Sequence, residues 1–169
     1  MKKVDYIVIQ STATGECVAV TPADIIALHT TTVKEGGYGW KRPGIDYLIH
    51  ANGSMDTLIG EESPTDVDLW GLSEGKDAIQ GMYKHIAYVE GRTEKEVKPK
   101  DTRTKAQLQA LEAIVRFYIL KFPNVQVLGF DEAPAKAGAE NPGFDVSIWL
   151  EEIGIAEQHI YKKPKQDAG

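Results

Sequence analysis

The sequence predicts an α/β fold, a mixed α+β arrangement with a single central mixed β-sheet flanked by helices. Short runs of β-branched and aromatic residues recur along the chain, and the first covers residues 4–9. Two capped segments with helical spacing separate these runs. The element order β-α-β-β-β-α-β-α contains no internal repeat and no linker that would divide two domains. We therefore expect one domain over residues 1–161 and a polar C-terminal tail over 162–169.

The first helix is predicted over residues 22–29. In Thr21-Pro22-Ala23-Asp24, the threonine caps the helix, the proline takes the first helical position and the aspartate reaches back from the third. Three apolar residues then point toward a core, namely Ile25, Ile26 and Leu28. His29 ends the helix, where a positive charge would interact favourably with the helix dipole.

The middle of the chain predicts a hairpin and a third strand. A strand over residues 45–50 is ended by Asn52-Gly53, the strongest short hairpin signal in the chain, and residues 54–59 form the returning strand. Residues 60–83 have no clear period and leave room for a short helix over 77–82. A strand then follows over residues 85–89.

The last third of the chain contains the longest predicted helix. Thr104-x-x-Gln107 is a capping box, and Pro123 ends the helix. Apolar residues at helical spacing lie between them: Leu108, Leu111, Ile114, Val115, Tyr118 and Ile119. A strand over 125–128 and a loop over 131–143 lead to a short helix capped by Asp145.

Composition excludes several classes of partner. The chain of 169 residues has 19 basic and 25 acidic residues, for a net charge of −6. This balance argues against nucleic acid, whose phosphates require clustered Lys and Arg, and gives no sign of attraction to a membrane surface. The one cysteine, Cys17, excludes an intrachain disulfide and a cysteine-rich zinc site, and we interpret it as a small hydrophobic residue.

Several segments, in this order, carry a resemblance to one family. They read YIVIQSTAT at residues 6–14, GWKRPGIDYLIHANG at 39–53, IAYVEG at 86–91, a capped helix at 100–123 followed by LGFDE at 128–132, and NPGFDVSIWL at 141–150. Together they resemble the framework of the zinc-dependent N-acetylmuramoyl-L-alanine amidases, which have the phage-lysozyme and peptidoglycan-recognition-protein fold. The resemblance implies that fold, a function connected with peptidoglycan and a zinc cofactor.

The residues at the three implied zinc positions do not suit the metal. The family would have His, His and Cys or a like ligand where this chain has Gln10, Phe130 and Asn141. Zinc in such sites takes three protein ligands and activates a water in the fourth position, and imidazole and thiolate suit it. An amide oxygen is a weak donor and phenylalanine has none. We therefore expect no catalytic residue and no bound metal, and a binding groove at these three positions.

Other residues are candidates for the walls of that groove. Ile45 and Asp46 stand where the family often has Tyr and His, and Lys136 lies near the position of a basic residue that often precedes the last ligand. Asp131 and Glu132 belong to an acidic loop that could offer oxygen ligands to Ca²⁺ or Mg²⁺ but is better interpreted as solvated.

Aromatic residues could serve a glycan-binding cleft, since sugar rings stack on aromatic faces. The candidates are Trp40, Tyr38, Tyr83 and Trp70, of which Trp70 is the best surface aromatic and Trp40 is better placed in the core. Among the histidines, His50, His85 and His159 show no spacing typical of a metal site.

Three functions remain open. The residues favour a catalytically degenerate amidase-like protein that binds a peptidoglycan fragment or a protein partner without zinc hydrolysis. The alternatives are an active, phage- or prophage-type amidase with a displaced site, and a protein-binding inhibitor module. The apolar run at residues 6–9 is too short for a signal peptide, so we expect synthesis in the cytoplasm, with any action at the cell wall following release.

Overall fold

A five-stranded mixed sheet forms the centre of the protein in the computed structural model, which describes residues 3–15, 18–59, 68–93 and 98–163. Its strands are β1 (Tyr6–Ser11), β3 (Tyr47–Ile49), β4 (Met55–Thr57), β5 (Tyr83–Tyr88) and β7 (Gln126–Gly129), in the order β4-β3-β5-β1-β7. A second, two-stranded sheet pairs β2 (Thr14–Gly15) with β6 (Gly91–Arg92). The predicted mixed sheet is confirmed.

Strand β1 is an inner strand of the parallel part of the sheet. It runs parallel to β5 on one side and to β7 on the other, so that Ile9 lies opposite both Ile86 and Gly129. Strand β3 is also parallel to β5, whereas β4 returns antiparallel to β3. Because parallel strands end at the same edge, the residues that follow β1, β5 and β7 are brought together.

Three α-helices in the described part of the chain cover the sheet: α1 (Pro22–Thr30), α2 (Lys105–Lys121) and α3 (Val146–Glu152). Thr21 with Asp24 and Thr104 with Gln107 form the two expected capping boxes, and the Asp145 carboxylate caps α3 by accepting a hydrogen bond from the backbone N–H of Ile148. The predicted helices over residues 22–29, between Thr104 and Pro123, and after Asp145 are therefore confirmed.

Two details of the predicted elements are wrong. In α1 only Ile25 of the three apolar residues is buried, while Ile26 and Leu28 are 39% and 42% exposed, because the buried face of the helix is formed by Ile25 and His29. No helix forms over residues 77–82. Asp77 instead lies in a turn and Gly81 in a bend, and the Met82 carbonyl accepts hydrogen bonds from the backbone N–H groups of Asp5 and Tyr6 at the start of β1.

The two faces of the sheet bury different kinds of core. One face, with Ile7, Ile9 and Ile86, packs against α2 and α3 and is almost entirely apolar. The other carries Val8, Leu48, Leu128 and Phe130 and packs against α1 and the segment around Trp70. The candidate functional residues lie on this second face, at the end where β1 finishes.

None of the helices in the described part of the chain combines the length and the apolarity that a bilayer crossing requires. Cys17 lies outside the described residues, as does the tail beyond residue 163. The division into a domain over 1–161 and a tail over 162–169 stays a prediction.

Gln107 fastens α2 to the sheet from a fully buried position. Its side-chain amide donates to the carbonyls of Val89, at 3.0 Å, and Ile49, at 3.4 Å, while its oxygen accepts from the backbone N–H of Thr104. We expect Gln107→Ala to lower the free energy of unfolding by about 2–3 kcal/mol, because it leaves buried groups unpaired and creates a cavity.

Chemical denaturation monitored by far-UV circular dichroism measures this loss. Gln109→Ala, an exposed glutamine two residues further along the same helix, is the matched control and should change stability little. Equal losses in the two variants would contradict the role assigned to Gln107.

Candidate functional site

The three segments of the predicted site meet at the carboxyl end of β1. The Asn141 side chain accepts a hydrogen bond from the Ser11 N–H at 2.7 Å and donates one to the Ser11 carbonyl at 3.2 Å. The Asp131 N–H donates to the Asn141 carbonyl at 2.9 Å. These bonds place the positions after Gln10, after Phe130 and at Asn141 beside one another, as the resemblance implied.

Gln10 is buried and paired with a histidine of the neighbouring strand. Its Oε1 lies 2.8 Å from Nδ1 of His85, and both side chains extend from the sheet face that carries Val8. Burial lowers the pKa of His85 to about 3, so the ring is neutral and Nδ1 donates to Gln10. The amide oxygen is therefore already engaged within the protein.

Phe130 is buried on the same face. Its ring makes an edge-to-face contact with Trp70, at 5.3 Å between centroids, and belongs to an apolar cluster with Val8 and Leu128. The Lys136 ammonium lies 5.9 Å from the centre of the Phe130 ring. A side chain packed in this way offers a metal no donor atom.

Zinc does not fit this set of side chains. Gln10 Oε1 is paired with His85, Phe130 has no donor, and both ends of the Asn141 amide are occupied by the backbone of Ser11. Within residues 3–15, 18–59, 68–93 and 98–163, no group of three or more His, Cys, Asp or Glu is placed to hold a metal ion.

Ile45 and Asp46, predicted to line the groove, are both buried. The Asp46 carboxylate accepts from the Lys84 ammonium at 3.2 Å and from the His85 N–H at 2.7 Å. Burial raises the pKa of Asp46, and the Lys84 charge opposes that rise. Both residues thus support the floor of the site from beneath its surface, and Asp46 is held in an internal ion pair.

Four aromatic rings cover this floor, and we call them the aromatic layer: His29, Tyr38, Trp40 and Trp70. Tyr38 is stacked on His29 at 5.1 Å, and Trp40 and Trp70 contact each other edge to face at 5.0 Å. Gly44 joins the layer through its backbone, because its N–H donates to His29 Nδ1 and its carbonyl accepts from Trp70 Nε1. Trp70 is half-buried by these contacts and forms part of the layer, as does Trp40.

His29 does not have the role that its place in the helix predicts. It is buried, its Nδ1 accepts the Gly44 hydrogen bond, and burial lowers its pKa to about 4. A charged ring meeting the helix dipole was therefore the wrong expectation. The neutral imidazole is instead the centre of the aromatic layer, packed against all three of its other rings.

The space beneath the aromatic layer is nearly filled. Among the described residues, the void bounded by Arg42, Asp46, Trp70 and His85 has a volume of about 10 Å³. That is close to the minimum for one water molecule. Trp70 and Phe130 take up room that an open groove would leave free.

An open cavity of about 1020 Å³ lies instead beside β7, where Asp131 and Glu132 form part of its wall. Glu132 is not a solvated loop residue as the sequence suggested. It is buried, accepts from the Gly129 N–H at 3.0 Å and from the Ser147 hydroxyl at 2.8 Å, and burial raises its pKa. Asp131 is half-buried, with its pKa raised by burial.

His29 and His85 belong to the site but were not predicted from the sequence. Both fall on regular elements, and neither has a metal-type partner nearby in the chain. The alternation in β5, which puts Tyr83, His85 and Ala87 on one face, was the available signal. The offset that brings His85 beside Gln10 comes from the parallel pairing of β1 with β5.

The buried His29 predicts a stability that falls in mild acid. Its pKa drops from 6.5 in the unfolded chain to about 4 in the folded protein. Between pH 6.5 and about pH 4 the unfolded state therefore binds a proton that the folded state does not bind. The free energy of unfolding decreases as the pH falls through this range. The loss of stability due to this one residue reaches about 3 kcal/mol once the pH is below the pKa of the folded state.

Denaturation at pH 7 and pH 4.5 measures this effect in the wild type and in His29→Asn. Asp46, Asp131 and Glu132, with raised pKa values, oppose the trend in both proteins, so the difference between the proteins isolates the histidine. We expect a smaller pH dependence in the variant. An identical pH dependence would mean that His29 is charged in the folded protein.

Comparison with known proteins gives a structural likeness without a sequence match. No family model matches the chain, and no curated protein matches it. Among solved structures, it is similar to the peptidoglycan recognition protein PGRP-SA of Apis mellifera, with a TM-score of 0.64 and 15% identity over 97% of this chain and 88% of that one.

Two further structures give the same result. The N-acetylmuramoyl-L-alanine amidase LysC from Clostridium intestinale has a TM-score of 0.61 and 17% identity, and the match covers 91% of this chain and 87% of that one. Human PGRP-IBETAC, solved in complex with glycosamyl muramyl pentapeptide, also has a TM-score of 0.61, with 16% identity over 96% of this chain and 88% of that one. The protein described here therefore has the fold of the peptidoglycan recognition proteins and the N-acetylmuramoyl-L-alanine amidases.

Proposed function

We propose that this protein is a catalytically degenerate member of the amidase fold, which binds a peptidoglycan fragment without zinc-dependent hydrolysis. One observation carries the proposal. At all three positions where the resemblance implies zinc ligands, the side chain is committed to the protein itself: Gln10 to His85, Phe130 to Trp70, and Asn141 to Ser11. The fold points to peptidoglycan, and these contacts argue against the metal chemistry.

Hydrolysis of an amide bond needs a polarised carbonyl and an activated water, which the zinc ion of such amidases supplies together. The described residues near the former ligand positions offer poor substitutes. His85 is a neutral, buried imidazole already bonded to Gln10, and Asp46 is held in an ion pair with Lys84. An active enzyme would need a displaced site built from other residues.

Binding is supported by the outer surface of the aromatic layer. Tyr38 is 43% exposed, and its stacking on His29 fixes the plane of its ring. An aromatic ring held in a fixed plane at the surface is suited to stack on a sugar ring, since its contact requires little further ordering. We place the glycan of the fragment on this surface.

The first prediction concerns metal and activity. Purified protein, incubated with excess zinc and then desalted, should retain substoichiometric zinc by elemental analysis. It should release no muropeptides from purified sacculi at high protein concentration, with or without chelator. One zinc per chain together with chelator-sensitive cleavage would establish the active amidase instead.

The second prediction concerns the binding surface. In a co-pelleting assay with sacculi, Tyr38→Ala should weaken binding about fivefold, which is the loss expected for one stacked aromatic ring. Phe117→Ala is the matched control, because Phe117 is 45% exposed but lies on α2, across the sheet from the aromatic layer. It should pellet like the wild type.

The same assay also distinguishes peptidoglycan binding from the protein-binding inhibitor module. If the wild-type protein fails to pellet with sacculi, peptidoglycan binding is refuted and the protein-binding inhibitor module becomes the better function. If both variants lose binding equally, binding is real but the aromatic layer is not its site.

A further inference from the structure

A wide opening lies away from the aromatic layer, beyond the edge strand β7. A cavity of about 1020 Å³ is bounded by the loop after β7, by α3 and by residues 157–163. A second cavity of about 480 Å³ shares Asp131, Glu132 and Lys163 with it. We call the two together the edge cleft. Each is within or near the size range of sites that enclose small ligands or peptide segments.

Part of the wall of the edge cleft is apolar. Phe144, Ile148 and Tyr161 line the larger cavity, and Ile148 is 53% exposed although Trp149 and Leu150, the next two residues of α3, are buried. Covering an exposed isoleucine side chain with an apolar ligand group is energetically favourable, because it removes apolar surface from water. This wall provides an anchor for an apolar side chain.

The charges around the edge cleft are predominantly negative. Six carboxylate side chains line the larger cavity: Asp131, Glu132, Glu140, Asp145, Glu151 and Glu157. Three lysines face them, Lys98, Lys162 and Lys163, and Lys162 is already paired with Glu157. The excess of carboxylates favours a cationic ligand.

Asp131 is the carboxylate best placed to meet such a cation. It is half-buried at the junction of the two cavities, and no other side chain in the described part of the chain forms a hydrogen bond or salt bridge with it. Lys163 influences it only through its charge, and burial disfavours its ionised form. Its own backbone N–H also favours the ionised form, and a ligand ammonium group at this point would add a direct charged partner.

We propose that the edge cleft is a binding site for a short peptide segment that carries an ammonium side chain beside apolar side chains. The ammonium group lies at Asp131, and an apolar side chain lies on Ile148 and Phe144. The site is distinct from the aromatic layer and does not depend on the function proposed above, so peptidoglycan binding can fail while peptide binding persists.

Isothermal titration calorimetry with two pentapeptides tests the proposal: acetyl-Leu-Lys-Leu-Lys-Gly-amide and its glutamate counterpart, acetyl-Leu-Glu-Leu-Glu-Gly-amide. We expect saturable one-to-one binding of the lysine peptide, weakened by salt, and no measurable binding of the glutamate peptide. Asp131→Asn should weaken binding about threefold, the loss of one partly screened charge pair, and Ile148→Ser by a similar factor.

Glu112→Gln is the control and should bind like the wild type, because Glu112 is a partly exposed acidic residue of α2 that does not line the edge cleft. Unchanged circular dichroism of the three variants excludes misfolding as the cause of any loss. The proposal is overturned if the lysine peptide does not bind, if the two peptides bind equally, or if Asp131→Asn and Ile148→Ser both bind like the wild type.

Discussion

The position of β1 between β5 and β7 is the constraint on which the rest of the site depends. Because β1 pairs in parallel with both neighbours, Gln10 is brought beside His85 and the end of β7 leads directly into Phe130. Every segment that contributes to the site enters from the edge where these strands finish. A change in the register of β1 by one residue would turn Gln10 to the opposite face and bring an apolar neighbour to His85.

The contacts at this edge do structural work that a metal ion does in other proteins. A bound ion ties together ligands from separate segments and so adds to folding stability. Here the Asn141 amide links the loop at 141 to β1, and Phe130 packs against Trp70 from a third segment. The segments are thereby joined through hydrogen bonds and ring contacts, which leave no ligand position open.

Much of the fold could be predicted because its signals are local. The capping boxes at Thr21 and Thr104 and the turn at Asn52-Gly53 each fix a boundary through neighbouring residues alone. The non-helical course of residues 77–82 could not be predicted, since it ends in hydrogen bonds between Met82 and the distant Asp5 and Tyr6.

The site likewise has features that could be predicted from the sequence and features that could not. The convergence of positions 10, 130 and 141 was implied by the resemblance to the amidase family. The burial of Glu132 depends on Ser147, and the neutral state of His29 depends on Gly44 and on three aromatic rings brought in from elsewhere. Charge states of this kind are set by tertiary surroundings, which the residue type alone does not reveal.

The contact between Trp40 and Trp70 in the aromatic layer requires that residue 44 has no β-carbon. A β-carbon at this position would lie 2.7 Å from the ring of Trp40 and 2.7 Å from the indole nitrogen of Trp70, too close for either ring to stay in place. Replacement by alanine would wedge the two indoles apart. The arrangement of the two indoles thus depends on residue 44 as well as on the two tryptophans themselves.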